Sequence, residues 1–294
     1  SMNNSIKNVV IRLMGALMLI AAYVPASAQT WDEPVITFKT NIYDSYGESN
    51  QFSLVIGTVD SLQYIDVDCG YGKVEYVTQQ ARIDSLSQIG GTYIECQVSK
   101  EGLVKIYGDP AQIDYLNASG CYISWIEFSN PEYIDILDLS HNELESLDLS
   151  AMTNVQALYL SDNKFTAATP LKIGGNKPNL KILEMNTIDY LDESFNLSDY
   201  PALISFDGYH NLGLKKCDPT GCPNLLRLTL DVTPVETIDV SKNGNLMILN
   251  VSNTRITNLD VSHNPYLIQL YCDHSGSYNN EYKIESLDIT HNPE

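Results

Sequence analysis

The hydrophobic pattern between Leu246 and Leu267 organises this chain. Counting from Leu246, apolar residues fall at offsets 0, 3, 5, 10, 13 and 15: Leu246, Leu249, Val251, Ile256, Leu259 and Val261. Leu267 then opens the pattern again. A helix of period 3.6 does not produce this spacing, and neither does a long strand of period 2. It fits a chain that turns back on itself once per unit and points the same offsets inward each time.

The template recurs at Ile113, Ile134, Val155, Leu180, Leu203, Leu225 and Leu267, with steps of 21, 21, 25, 23, 22, 21 and 21 residues counting Leu246 in its place. Offsets 3 and 5 hold pairs such as Leu137/Leu139, Leu158/Leu160, Leu228/Leu230 and Leu249/Val251. Self-similarity at 20–29 residues around L-x-x-L-x-L is the leucine-rich repeat signature. Each unit is therefore expected to lay offsets 2 to 6 as a short strand of a parallel sheet on a concave face. Offsets 3 and 5 enter the core and 2, 4 and 6 face outward, because strand side chains alternate.

Offset 8 carries Cys121, Asn142, Asn163, Asn211, Thr233, Thr254 and Ser275, with Ile188 breaking the rule. A polar group there satisfies backbone atoms at the turn leaving the strand. The returning half reads Leu147-Asp-Leu-Ser, Ile238-Asp-Val-Ser, Leu259-Asp-Val-Ser and Leu287-Asp-Ile-Thr. Its Thr, Val and Ser content disfavours helix and predicts extended or 3-10 segments on the convex side. Asp148, Asp239, Asp260 and Asp288 each precede a Ser or Thr by two places. Turn-capping hydrogen bonds to backbone outweigh a calcium site there.

Upstream the pattern changes. Residues 34–40, 51–56, 62–67, 73–77, 92–98 and 103–107 are short, rich in β-branched and aromatic residues, and separated by Gly-bearing turns such as Gly90-Gly91. They predict a small antiparallel β-sandwich of about six strands, acting as the cap that a solenoid's first hydrophobic face needs. Before it, Lys7 and Arg12, the apolar run Leu13 to Val24 and Ala26-Ser27-Ala28 have the form of a cleaved signal peptide. The domain reading is thus 1–28 signal peptide (Ser1 ahead of Met2 being an expression remnant), 29–110 sandwich cap and 111–294 repeats. The last residues, Asn292-Pro-Glu294, stop one place before an opening Leu is due. The expectation is that the natural protein continues with further repeats and a C-terminal cap.

Charge narrows the function. The formal net charge is -20, and removal of Lys7 and Arg12 leaves 15 cations against 37 acids, a net -22. Such a chain is not built for nucleic acid, which needs clustered Lys and Arg, nor for anionic lipid. The chain has six cysteines. The Asp-Pro-Thr-Gly turn between Cys217 and Cys222 makes a disulfide between them the candidate pairing. Cys69 and Cys96 have opportunity alone, while Cys121 and Cys272 occupy inward positions suited to small buried thiols. No spacing suggests zinc or another metal, and no cofactor motif is present.

The repeat residues from Ile113 onward, about 180 in all, resemble the leucine-rich repeat family, in particular exported bacterial members such as the internalins. In that family L-x-x-L-x-L is the concave strand, and Cys, Thr or Ser stands in for the Asn, as at Cys121 and Thr233. The resemblance implies a mainly β, right-handed solenoid of about eight units with irregular or 3-10 convex segments, preceded by the sandwich cap. It also implies protein binding, since such repeats mostly bind proteins. The stretches 165–179 and 187–202 enlarge two units, and Gly208 replaces a core Leu. Cys69-Gly-Tyr-Gly-Lys73 is similar to a degenerate Gly-Asp-Gly turn of polycystic-kidney-disease-like sandwiches.

The register also names the candidate surface. Asp138, Tyr159, Glu184, Asp207 and Tyr271 stand at offset 4, Tyr209, Asp231 and Asp273 at offset 6, and His141, His210 and His274 at offset 7. Glu184 and Asp207 would sit about 5 Å apart on adjacent strands, the carboxylate spacing of a retaining glycosidase. An open ladder supplies that spacing wherever two acids are adjacent, so a non-catalytic reading is preferred. No Ser-His-Asp order, P-loop or dinucleotide fingerprint occurs. Two functions compete: a concave Tyr/Asp/Asn/His surface gripping a host or envelope protein, and the same aromatic and acidic strip recognising a glycan.

Overall fold

The computed structural model describes residues 30–42, 50–84, 87–273 and 283–292. The signal-peptide reading and the expectations for His274 and Ser275 lie outside them. Pro34–Glu294 forms one compact unit, and of the separate unit Ser1–Glu33 only 30–33 are described. The fold is a mainly β solenoid with an antiparallel sheet at its N-terminal end.

That antiparallel sheet has five strands in the order β10 (Ile123–Phe128), β1 (Ile36–Thr40), β8 (Leu103–Tyr107), β3 (Tyr64–Asp68) and β4 (Lys73–Val77). Facing it are β2 (Gln51–Thr58) and β7 (Thr92–Gln97), paired antiparallel from Gln51↔Gln97 to Ile56↔Thr92. A disulfide joins Cys69, just after β3, to Cys96 in β7, and so ties the two layers together. The sequence reading missed β10, which lies within the first repeat, and two further strands, β5 (Gln79–Asp84) and β6 (Ser87–Gly90). Gln79-Gln80-Ala81-Arg82-Ile83 mixes polar and apolar residues without the dense β-branched composition that marks the other strands.

The sheet does not stop where the repeats begin. The strand β9 (Ile113–Asn117) pairs antiparallel with β2 on one side and parallel with β11 (Ile136–Asp138) on the other. Parallel pairing continues through β12 (Ala157–Tyr159), β13 (Ile182–Glu184), β14 (Ser205–Asp207), β15 (Arg227–Thr229), β16 (Ile248–Asn250) and β18 (Gln269–Tyr271). The repeat register is the expected one, Leu137↔Leu158 and Leu183↔Phe206 facing across neighbouring strands. Leu139, Leu160, Leu230 and Val251 are fully buried beneath. The convex side is irregular, with 3-10 turns at Pro131–Tyr133 and Leu197–Asp199, and with β17 (Asn258–Asp260) parallel to β19 (Ser286–Asp288).

The solenoid strands are shorter than expected, spanning offsets 2 to 4. A backbone turn ends them. Offset 7 takes positive φ in Gly120, His141, Asp162, Thr187, His210, Val232 and Asn253, between 51° and 68°. Only one of these is glycine; the left-handed region is costly for the others, most of all for β-branched Thr187 and Val232. The conformation is held because amides at offsets 5 and 7 still bond to the next coil, as in Leu139 N to Tyr159 O (2.9 Å) and His141 N to Ser161 O (2.8 Å).

Two ladders of side-chain donors run along the coils. At offset 8, Asn142 Nδ2 donates to Ala118 O and Leu139 O (both 2.9 Å), and its Oδ1 accepts from the amides of Cys121 and Ile123. Thr233 and Thr254 reduce this to one hydroxyl donated to Leu230 O and Val251 O. The second ladder was not anticipated; it lies three residues before the openings from Leu180 to Leu267. Asn243 donates to Pro219 O and Cys222 O, and Asn264 to Val240 O and Asn243 O. In other units Lys177 Nζ reaches Leu149 O (2.7 Å), Tyr200 Oη reaches Gly174 O (3.0 Å) and Cys222 Sγ reaches Leu197 O (3.2 Å).

That last contact corrects the disulfide expectation. Cys217 and Cys222 are free and buried, because Cys222 is turned inward as a ladder donor rather than across the Pro219–Cys222 turn. Burial pushes its thiol up to about 12. Cys121 is buried and Cys272 partly so. At Gly208 a Cβ would come within 2.8 Å of the Phe206 ring; the Phe at offset 3 fills the room that a Leu at offset 5 takes elsewhere. The repeated convex Asp residues cap their turns as expected, Asp148, Asp239, Asp260 and Asp288 each accepting the amide two residues on at 2.9–3.0 Å.

Leu160→Ala should destabilise by about 2–5 kcal/mol through cavity formation, whereas Tyr271→Ala, 48 % exposed, should stay within about 0.5 kcal/mol; equal losses in denaturant unfolding would contradict the register. Val232→Asn should raise stability by roughly 1 kcal/mol by relieving a β-branched residue from the left-handed region, read as a higher melting temperature.

Candidate functional site

The concave face is the outward side of β9 to β18, and the structure divides it. Offset 2 changes character along the solenoid: Tyr115, Ile136, Ala157 and Ile182 are apolar, whereas Ser205, Arg227 and Gln269 are polar, with Ile248 the one apolar member among them. The first four and Tyr159 form a second hydrophobic cluster, separate from the main core. Val55 of β2 and Ala81 and Ile83 of β5 pack on it. The N-terminal strands therefore lie over the first part of the concave face.

This corrects the placement of Tyr159, which is 9 % exposed and belongs to that covered cluster. Thr229 is also buried, and Asp138 and Asn250 are half-buried. The strands stand about 4.8 Å apart, so a side chain at offset 4 packs between its equivalents in the neighbouring coils. Much of the offset-4 polarity is structural as well. Asn117, Asp138, Asp207 and Asn250 each accept the amide of the residue two places on, at 3.0–3.2 Å, and so end their own strands. Burial pushes the Asp138 carboxyl upward against those bonds.

Beyond Ile182 of β13 the N-terminal strands no longer cover the face, and here Glu184, Asp207 and Tyr209 are brought together, although Asp207 is itself buried between its neighbours. Glu184 and Asp207 are direct neighbours across the β13–β14 pair. Asp207 is engaged on both oxygens: Oδ2 meets Arg227 Nη2 at 3.1 Å and Oδ1 accepts from Tyr209 N at 3.2 Å. Glu184 is half-buried and its carboxyl makes no hydrogen bond among the described residues; burial first, then Asp207, pushes that carboxyl up, and Arg227 partly opposes this. The Tyr209 ring is 44 % exposed and lies 5.9 Å from that of His210. Asp231 accepts from Asn253 Nδ2 at 3.1 Å. Tyr271 and Asp273 stand exposed on the last described strand of the face. His141 instead pairs with Asp162 at 2.8 Å on the surface.

Arg227 is the residue the sequence reading overlooked. Its signal is its place at offset 2, opposite Ser205 and one strand from an acid. No group of three or more His, Cys, Asp or Glu residues among the described residues is arranged to hold a metal. A broad groove of about 840 Å³ lies away from the concave strands, on the returning segments of the enlarged units, lined by Pro170, Tyr190, Leu191, Phe195, Leu212 and Lys216 among others.

A second acid pair lies at offset 1. Asp114 and Asp135 stand side by side, and Gln156 donates to Asp135 (3.1 Å) while Lys181 donates to Gln156 (2.9 Å). Asp114 is 8 % exposed, with Oδ1 unpaired. Burial and then Asp135 raise its carboxyl to about 7. It is thus an acid held protonated by its surroundings through the acidic range.

No protein-family model matches the chain, and no curated protein does. Among solved structures it is similar to one described as the functional domain of InlJ from Listeria monocytogenes, which includes a cysteine ladder, at 18 % identity and a TM-score of 0.27. The match covers 67 % of this chain and 59 % of that one. Among the described residues no helix is long and apolar enough to cross a membrane.

The folded carboxyl of Asp114 titrates above its unfolded value, so its ionisation opposes folding. The penalty is absent below about pH 4, grows as pH rises, and is complete above about 7. Asp114→Asn should therefore flatten the fall in melting temperature across that window and stabilise the protein at pH 8. An unchanged pH profile would contradict the assignment.

Proposed function

We propose that this chain is a non-catalytic binding protein of the leucine-rich repeat type, exported from its cell, which holds a protein partner on the open part of its concave face from Glu184 to Asp273. The single observation that carries the reading is the change along that face. Its first strands are covered by Ala81 and Ile83 of β5, whereas Tyr209 and Tyr271 further along are 44 % and 48 % exposed. Exposed tyrosines amid fixed polar groups are the side chains on which interfaces concentrate their binding energy. They stand on rigid strands whose ends are fixed by hydrogen bonds, so little order has to be gained on binding.

Catalysis finds less support. Asp207 is committed to Arg227 and to its own turn, which leaves Glu184 without a second uncommitted carboxylate to share acid and base roles. A glycan is the second reading, supported by the same two exposed tyrosines beside Asn186, Asp231 and Asp273. Replacing Tyr209 and Tyr271 together with Ala should weaken a bound partner by about tenfold or more without lowering the melting temperature. Titrating wild type and double variant against partners recovered from envelope or host extracts, beside a glycan array, tests this. Unchanged affinity for every partner would move the site off the concave face.

A further inference from the structure

We infer that the partner segment seated on the open concave face is a basic one, an extended stretch of polypeptide presenting Lys or Arg side chains. This rests on the concave-face reading above and specifies the chemistry of its partner. From β13 to β18 the face and its rim carry Glu184, Asp207, Asp231 and Asp273 against one cation, Arg227. That cation is already spent on Asp207 at 3.1 Å. Asp231 has an internal donor in Asn253. Glu184 differs. It sits between Tyr159 and Asp207 in the strand register, half-buried, with no hydrogen bond or ion pair among the described residues.

A half-desolvated carboxylate beside a second one is unfavourable, and a donor cation from outside relieves it. An ammonium or guanidinium supplies both the charge and the N–H donors. Tyr209 stands on the neighbouring unit, at offset 6 beside Asp207, with its ring exposed, a surface over which a cation is attracted. The chain's net charge of -20 steers a basic segment toward it from a distance. A neutral glycan would leave the Glu184 charge unmatched, and an anionic one would oppose it.

The test is a selection from a phage-displayed random dodecapeptide library on the full chain, followed by titration of the recovered peptides as synthetic ligands. Peptides enriched in Lys and Arg are expected. Their affinity should fall about tenfold in Glu184→Gln and remain in Glu145→Gln, which removes an equal charge from an exposed site on the returning half. Glu184→Gln keeps the side-chain shape and breaks no internal bond, so its melting temperature should not fall. Peptides without basic enrichment that depend on Tyr209 and Tyr271 but not on Glu184 would overturn the inference and leave the concave-face reading standing. Basic peptides equally weakened by Glu184→Gln and Glu145→Gln would reduce the effect to bulk charge and overturn it as well. Recovery of no peptide sensitive to either the tyrosines or Glu184, with a Tyr209-dependent neutral glycan instead, would overturn the inference and the protein-partner reading together.

Discussion

Every coil of this solenoid turns twice through its own interior, and each turn leaves carbonyl oxygens in a place water does not reach. An unpaired buried carbonyl costs about 1–3 kcal/mol, repeated in each unit. The offset-8 ladder removes that cost, and the second ladder adds a side-chain donor to carbonyls most of which already accept a backbone amide, as Val240 O does from Asn243 N. They explain why the sequence tolerates so much variation at those positions: Asn, Thr and Cys at offset 8, and Asn, Lys, Tyr and Cys three places before the opening. From Leu180 onward the second position uses only a donor, and before Ile134 and Val155 it does without one, at Pro131 and Met152. The Oδ1 atoms of Asn243, Asn264 and Asn292 have no partner, so the acceptor half of the amide is idle and an ammonium, phenol or thiol can replace it.

The solenoid itself was legible because burial at offsets 0, 3 and 5 is an all-or-none requirement that each unit restates. Leu180 and Leu203 open their units in register despite the enlarged steps. The offset-8 ladder was legible for the same reason. What escaped was set by contacts between distant parts of the chain. The apolar run at offset 2, Tyr115, Ile136, Ala157 and Ile182, has no meaning within a repeat; it answers to Ala81 and Ile83, more than 30 residues upstream of its first member. Cys69 and Cys96 likewise meet because β3 and β7 lie in opposed layers, a fact no spacing encodes. Cys217 and Cys222 looked better placed only because nearness in sequence was the available guide.

The division of the concave face has a consequence for the candidate site. With the first strands covered, the exposed part of the face starts at β13, where Glu184 and Asp207 lie side by side. Asp207 illustrates how one residue serves two purposes. Its Oδ1 ends its strand as an acceptor for Tyr209 N, and so fixes the backbone that presents the Tyr209 ring. Its Oδ2 holds Arg227, whose side chain stays partly exposed. Its neighbour Glu184 has neither task.

The irregular middle of the solenoid obeys the same constraint as its regular end. The longest steps between openings, 25 and 23 residues, precede Leu180 and Leu203. The donors that close those two coils are the longest side chains in the ladder, Lys177 and Tyr200. Units of 21 residues are closed by Asn243 and Asn264. In every case the target is the same carbonyl, six places before the opening of the preceding unit. An enlarged coil sets its turn differently against its neighbour, and a longer side chain still delivers a donor to that oxygen. Lys177 meets this requirement at a visible electrostatic cost, its ammonium lowered to about 8 by burial. The return is two bonds from one ammonium, to Leu149 O at 2.7 Å and to Met152 O at 3.0 Å.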